Sequence, residues 1–360
     1  HNGRWEHFDS RARYYFEQID LMDDSQLNGG AADVTQTNNT VDGQVSGYLG
    51  DHLLTSGAEL RKTELEHSRN IANGSVDATQ SAVYLQDEFG FGDLALTLSG
   101  RLDHHETYGT EFSPRAYALY TLTDEWVIKG GAGKAFKAPT LAQSSEGFST
   151  TACRGACQVI GNPDLKPETA VSYELGTAYE AARFGAGVTG FHNEIEDLIQ
   201  SDQWGPGYRP TVMTYLNVKE ARIKGLELTG WVDVLDNVKL TGNFTLLDSV
   251  DRSTGDDLAK TPDHTGNLGL DWQASELVSA NLAWQYVGSQ VIKVPARNAQ
   301  AFTSKHYQTL DVNTKWTVTP ALDFKLGITN LTNTQRDEVA TDADFILEGR
   351  TVYAGVDYKL

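Results

Sequence analysis

The run Asp103-His104-His105-Glu106 gathers four side chains that could move protons or activate a metal-bound water. It closes an alternating segment, and adjacent side chains on a strand point to opposite faces, so His104 and His105 cannot both serve one site without distorting the backbone. No G-x-S-x-G nucleophile motif accompanies them. His192 and His264 are isolated and read as structural. The expectation is a protein that is not an enzyme, with no cofactor and no metal site. Cys153 and Cys157, the two cysteines, stand four apart in a stretch rich in Gly and Thr. A local disulfide in an oxidising compartment is the economical reading. A free thiol pair and a two-cysteine metal site are the alternatives, the latter needing further ligands that the neighbouring sequence does not supply.

Charge narrows the class of partner. A formal net charge of −20 argues against nucleic acid, whose phosphates call for clustered Lys and Arg. The acidic residues concentrate at Asp20 to Asp24, Asp248 to Asp257 and Asp337 to Asp344, which read as solvated turns, a divalent-ion role being the sharper alternative. No apolar run reaches the roughly 18 residues that a membrane helix needs. The first residues show no signal-peptide pattern and no Met, so a segment upstream is expected.

The elements that must position any site are strands. Leu94, Leu96, Leu98 and Leu102 alternate with Thr97, Ser99, Arg101 and Asp103, and Leu322, Phe324, Leu326 and Ile328 with Asp323, Lys325 and Thr329. Leu310, Val312, Trp316 and Val318 likewise face Asp311, Asn313, Lys315 and Thr317. Val352, Ala354, Val356, Tyr358 and Leu360 do the same near the end. This period of two marks strands with one apolar and one polar face.

Strands are predicted at 4–20, 38–49, 52–66, 79–90, 93–106, 112–123, 126–136, 169–181, 183–200, 212–234, 238–250, 264–274, 277–292, 307–318, 322–336 and 349–360, about sixteen in all. Their connections alternate short and long. Gly50-Asp51, Phe91-Gly92, Asp124-Glu125, Ala182, Leu235 to Asn237, Ser275-Glu276 and Thr319 to Ala321 are tight, and most of the others are far longer. Transmembrane barrels combine short periplasmic turns with long extracellular loops, whereas a soluble sandwich has no reason for that parity. Trp126, Trp231, Trp272 and Trp316 fall beside the short turns, where an interfacial aromatic belt belongs. The fold class is therefore all-β, an antiparallel transmembrane β-barrel in the bacterial outer membrane. A passive porin-like channel is one functional reading and a soluble β-sandwich binding module another.

Specific motifs point further. Gly133-Lys-Ala-Phe-Lys-Ala-Pro-Thr-Leu141, then Gly161-Asn-Pro-Asp-Leu-Lys-Pro-Glu168 and Tyr173-Glu174-Leu175-Gly176, resemble the signature of TonB-dependent outer-membrane receptors. Tyr215-Leu-Asn217, Ala221-Arg-Ile-Lys-Gly225 with Leu226-Glu227, and Gly327-Ile-Thr-Asn-Leu-Thr-Asn333 are similar to its later strands. The likeness covers residues 80 to 360 and, within the family, is greatest to ferric-catecholate and colicin receptors. It implies that residues 1–360 form the C-terminal part of a barrel of roughly 22 strands, whose plug and first strands lie outside this sequence. Family chains usually end in an aromatic residue, whereas this one ends Asp357-Tyr358-Lys359-Leu360.

The implied function is active import of a ferric siderophore, energised through TonB by way of the plug; haem, cobalamin or glycan are the other cargoes to weigh. The implied partners are TonB, the siderophore, outer-membrane lipid and lipopolysaccharide, with colicins or phages as users of the loops. The motif residues Pro139, Gly161 to Pro167 and Glu168 are expected to shape a loop rather than touch ligand. An anionic catecholate complex would meet basic and aromatic loop side chains. The candidates are Phe148 and Arg154 in the longest loop, the cluster Trp204, Tyr208 and Arg209, and Lys293, Arg297, Lys305 and Tyr307.

Overall fold

The computed structural model describes residues 1–25, 30–152, 157–203, 212–293, 302–335 and 347–359. In chain order the first strands are β1 (Asn2–Arg4), β2 (Phe8–Ser25), β3 (Gly30–Leu49), β4 (His52–His67), β5 (Ser75–Phe91), β6 (Leu94–His105), β7 (Gly109–Thr123) and β8 (Trp126–Lys137). A short helix, α1 (Leu141–Ser144), precedes β9 (Ser149–Ala152), β10 (Cys157–Ile160), β11 (Glu168–Glu180), β12 (Phe184–Gln203) and β13 (Val212–Leu235). There follow β14 (Val238–Asp251), β15 (His264–Gln273), β16 (Val278–Val287), β17 (Gln290–Lys293), β18 (Phe302–Ser304), β19 (Tyr307–Thr319), β20 (Leu322–Thr329) and β21 (Thr351–Tyr358). Nineteen strands share one sheet, and β17 with β18 forms a separate ribbon. Five of the described strands have only three or four residues; the sixteen long ones correspond to the sixteen expected.

The chain forms two compact units. One comprises 1–120, 130–173 and 193–221, and the other 121–129, 174–192 and 222–360. In the first, β2 to β7 run as an antiparallel meander, with β2 and β3 paired in unbroken register from Phe8↔Gly47 to Ser25↔Gly30. In the second, β14, β15, β16, β19, β20 and β21 form another meander.

Polarity is inverted relative to a water-soluble protein. Val83 and Leu85 are 55% and 56% exposed, while Asp42 and Asp103 are 5% and 3% exposed. The apolar face of each strand thus points away from protein, and the polar face is where side chains meet one another. On that face of the first unit Arg13 forks onto Asp42 (2.9 and 3.1 Å), Arg11 donates to Gln44 (2.8 Å), and Arg101 bridges Asp103 (3.0 Å) and Glu59 (3.4 Å). Charges out of bulk water are retained where such paired, charge-assisted bonds satisfy them.

Several expected boundaries shift for local reasons. Asp20 to Asp24 form no turn: β2 and β3 continue together through them, with Thr35 donating to Asp20 (2.8 Å) and Asp23 paired with Arg69 (2.5 Å). Asp248 to Asp251 finish β14, and the connection after them contains the turn. Asp337 to Asp344 and Leu360 lie outside the described residues. The segment 277–292 divides into β16 and β17, because Gly288 donates to His264 O (2.8 Å) and the chain then leaves the sheet. β20 ends at Thr329 rather than near 336: Asn330 is left-handed (φ 49°), and its side-chain amide donates to Thr334 O (2.9 Å) and Glu348 O (2.8 Å). Of the four tryptophans expected in a belt, Trp126, Trp272 and Trp316 are on the apolar face. Trp231 is not. It occupies the alternate register to Leu228 and Val232, donates to Glu180 (2.9 Å) and lies under the Lys239 ammonium at 4.2 Å.

Aromatic rings cover glycines on neighbouring strands: Tyr84 covers Gly57, Tyr117 covers Gly131 and Tyr353 covers Gly327. The bare glycine lets the ring lie flat on the ladder, a known device for pinning register. A Cβ at Gly57 would overlap the Tyr84 ring and approach Gly43 O to 2.7 Å. Gly57→Val is therefore expected to destabilise by about 1–3 kcal/mol, and by clearly less in a Tyr84→Ala background, where the ring is gone. Urea titration followed by the heat-modifiable gel shift of the full-length protein measures both; equal losses in the two backgrounds would refute the ring-over-glycine account.

Candidate functional site

Loops at the long-connection end of the first unit are built into one another. Thr140 caps α1: its hydroxyl accepts from Gln143 N (3.2 Å) while the Gln143 side chain accepts from Thr140 N (2.9 Å), a capping box. β9 and β10 form a hairpin, and β10 then runs parallel to the start of β13, pairing Gln158 to Ile160 with Val212 to Thr214. Val159 and Met213 are buried in this seam, and Thr214 donates to Ile160 O (2.9 Å). At Gly161 any Cβ would run into Ser145 O, so only glycine lets the two segments pass.

The following motif is spent on latching the loop. Asn162 donates to Tyr215 O (2.9 Å) and accepts from Asp164 N (3.0 Å), while Leu165 is buried. Asn217 accepts from Lys166 N (2.9 Å) and donates to Lys166 O (3.0 Å) and Asp197 O (2.5 Å). Glu168 accepts from Ile199 N (2.8 Å) and pairs with Lys137 (3.2 Å). These bonds tie the connection to β12 and β13 mainly through backbone groups.

The 68–74 connection docks beside it. Ala72 N donates to Gly147 O (3.0 Å), Ser149 N to Asn70 O (2.8 Å), and Ile71 bridges Phe148 with both side chains buried. Arg69 reaches back to the β2–β3 hairpin, where it pairs with Asp23 and donates to Gly30 O. Buried His67 sits between them: its Nδ1 accepts from Asn70 N (3.3 Å) and Arg69 N (3.4 Å), and its Nε2 lies 4.0 Å from Asp23. Burial holds the imidazole pKa below its ordinary value, against the pull of Asp23 and with the help of Arg69.

The expected ligand contacts fall in different places. Phe148 is inside this loop junction rather than at a tip. Arg154, Trp204, Tyr208, Arg209 and Arg297 lie outside the described residues, as does Cys153. Cys157, at the start of β10, is disulfide-bonded. Lys293 ends β17, Lys305 is exposed just before β19, and Tyr307, the first residue of β19, is half-buried. The Asp103-to-Glu106 run diverges: Asp103 accepts from Arg101 and Gln80 (both 3.0 Å), His104 meets Thr110 (3.0 Å), and His105 accepts from Thr107 N (3.2 Å) against the Tyr108 ring.

One grouping escaped sequence reasoning. Phe244, His264, Tyr286 and His306 form a row of rings across β14, β15, β16 and the approach to β19, with centroids 6.3, 5.3 and 6.1 Å apart. Trp284 stacks on Tyr286 (5.9 Å) and donates to Gln308 (3.1 Å). His264 is thus part of an aromatic row rather than isolated. Its register is that of Leu268 and Trp272, the apolar face. The signal was present as ring-bearing residues at loop-side strand ends in the apolar register, but only the pairing brings them together. With Trp126, Trp272 and Trp316 at the opposite strand ends, aromatic rings occupy both borders of the apolar face, as in membrane barrels.

Inverted polarity, tight turns opposite long connections and two aromatic borders define an outer-membrane β-barrel. The chain belongs to the TonB-dependent receptor family: residues 1–331 match the family "TonB dependent receptor-like, beta-barrel". It is 29% identical to the iron-regulated outer membrane virulence protein of Vibrio cholerae over 86% of this chain and 49% of that protein. It is also 29% identical to the ferrienterobactin receptor of Escherichia coli K12, over 90% of this chain and 47% of the relative. The crystal structure of the ferric enterobactin receptor PfeA of Pseudomonas aeruginosa superposes with a TM-score of 0.85 at 24% identity, covering 99% of this chain and 60% of that one. The chain spans about half the length of these curated relatives.

Two outcomes follow from the loop geometry. Asn217→Ala removes three bonds to loop backbone and leaves Lys166 N without its acceptor, so local opening should become easier by about 1–3 kcal/mol. Hydrogen exchange at Lys166 should then accelerate on the order of tenfold or more, with core strands unchanged; an unchanged rate would sink the latch. For His67 the folded pKa lies below the unfolded value of about 6.5, so the folded state binds fewer protons. Its contribution is present above that value and is lost as pH falls through about 6.5 toward the folded pKa. Exchange protection at Asn70, corrected for intrinsic rate, should fall between about pH 7.5 and 5, and His67→Ala should flatten that dependence.

Proposed function

We propose that this chain is the barrel of a receptor that imports a ferric siderophore of the catecholate class across the outer membrane, energised through TonB. The observation that carries the reading is the pair of near-equal likenesses to an iron-regulated outer-membrane protein and a ferrienterobactin receptor, each over more than four-fifths of the chain. The latched loops support it, because recognition of a rigid iron complex gains from preorganised contact residues. The basic and aromatic candidates Arg154, Trp204, Tyr208, Arg209, Lys293, Arg297, Lys305 and Tyr307 would supply the anionic complex with charge-assisted bonds and ring faces. Of these, Lys305 is exposed at the long-connection end.

In this reading the loops capture the iron complex, contraction of the binding site shifts a plug held within the barrel, and TonB draws on the plug to open a path. The barrel does no covalent chemistry. Its paired strands fix the loop bases, and its polar face, with Arg and Lys already neutralised by Asp and Glu, offers the plug and the passing cargo a wet wall. Lipopolysaccharide and phospholipid surround the apolar face.

Uptake of radio-iron on a panel of siderophores, by iron-starved cells with and without the intact gene, tests this reading. Gene-dependent uptake of a catecholate complex, abolished by an uncoupler, is the expected outcome. Arg209→Ala should raise the half-saturating concentration about tenfold, equivalent to roughly 1.4 kcal/mol, with the maximal rate preserved. Uptake that persists with the uncoupler would establish a passive channel instead, and gene-dependent uptake of haem or cobalamin alone would replace the siderophore.

A further inference from the structure

The apolar face of the second unit is interrupted by a notch. On β13 this face carries Leu226, Leu228, Val232 and Val234, all well exposed, and on β12 it carries Phe184 and Val188. Between these tall side chains stand two short ones, Ala186 on β12 and Thr177 on β11, and the floor beneath them is backbone. The resulting depression holds about 570 Å³ and is walled chiefly by Trp126, Tyr179, Val188 and Leu228.

The walls are fixed and present carbon. Trp126 Nε1 donates inward to the Thr177 hydroxyl (2.6 Å), which in turn donates to Val127 O (2.8 Å), so both polar groups are satisfied within the protein. Tyr179 meets Trp126 edge-on (6.5 Å, 81°) and lies against Phe184 (5.6 Å, 30°), which braces the aromatic wall. A sugar or peptide would lose its hydrogen bonds here without replacement. A hydrocarbon chain would lose nothing.

Depth selects the source of that chain. Trp126 and Phe184 immediately follow the tight turns at 124–125 and 181–183, and Glu180 N, at the end of β11, donates to Glu125 O in the first turn (2.8 Å). Short turns mark the periplasmic side of such barrels. Arg183, in the second turn, stays more than half exposed while donating to Asp233 O (3.1 Å) and Asp236 (3.0 Å), which keeps a cation at headgroup depth.

We propose that the notch between Trp126, Tyr179, Ala186 and Leu228 is a specific seat for one acyl chain of a glycerophospholipid from the periplasmic leaflet, with its phosphate at the level of Arg183. The seat orders a lipid where Phe184, Val188 and Leu228 stand around the short Ala186 and Thr177. It is independent of what the receptor transports.

The test uses the full-length receptor reconstituted in phosphatidylethanolamine vesicles that contain a phosphatidylethanolamine with a photoactivatable group in mid-chain. Peptide mapping after illumination should find label on 177–188 and 226–228 at least several-fold above that on 268–272, an apolar stretch that also ends beside a short turn. Ala186→Phe, which fills the notch, should remove the excess while the heat-modifiable gel mobility stays that of a folded barrel; Ala186→Leu serves the same purpose if the phenylalanine variant does not fold. Uniform labelling of the two stretches overturns the proposal. So does an excess that survives a folded, filled variant, or stronger labelling of the notch by photoactivatable lipopolysaccharide than by the phospholipid.

Discussion

Backbone hydrogen bonding without water is the constraint from which the rest follows. In hydrocarbon each unpaired N–H or C=O costs several kcal/mol, so a strand-built membrane protein has to pair its backbone along the whole spanning length. The ladders from β2 to β7, and from β14 through β15, β16, β19 and β20 to β21 with a single irregularity between Thr317 and Thr319, meet that demand. Once the ladder is fixed, each side chain has two possible destinations, and the medium decides which residues suit each. Leu and Val then go to the lipid side at no cost, while Asp42 and Asp103 have to find partners, Arg13 and Arg101, on the other. Ion pairing on the polar face is therefore a consequence of the backbone ladder and not an independent source of stability; a buried pair does little more than repay its own desolvation.

The same constraint explains which parts of the fold were legible in the sequence. Period-two runs such as Leu94 to Asp103 announce a two-faced strand from residue types alone, and the parity of short and long connections fixes the sidedness. Legibility fails where the medium is water on both faces. Asp20 to Asp24 carry turn chemistry, yet β2 and β3 continue through them, because Thr35 and Arg69 supply partners that no local pattern reveals. Trp231 shows the sensitivity of a period of two: its place beside a short turn suggested the lipid border, but a shift of one residue puts it on the polar face against Glu180 and Lys239. The β10–β13 pairing is parallel and joins residues more than fifty positions apart, so nothing local encodes it.

At the loop site the division is chemical. Gly161, Asn162 and Glu168 were expected to shape the chain, and their polar atoms are taken up mainly by backbone partners; Asn217, which motif reading placed only in a strand, joins them. The capping box at Thr140 and Gln143 is legible as Thr-x-x-Gln, although Pro139 beside it carries the turn chemistry of a loop. The row from Phe244 to His306 was hidden for a different reason. Its members come from four segments, and each by itself resembles an ordinary core or surface ring.

This use of the motif residues bears on how a single architecture can serve many cargoes. Side chains that hold loop backbone in place cannot also vary freely, because replacing Asn217 or Gly161 disturbs the segments at Lys166 and Ser145 that they hold. Exposed positions outside these latches, such as Lys305, carry no such structural duty. The residues by which the family is recognised are for that reason the ones least informative about cargo. The class of the protein is written in its ladder and latches, whereas what such a fold acts on has to be argued from side chains that neither of them fixes.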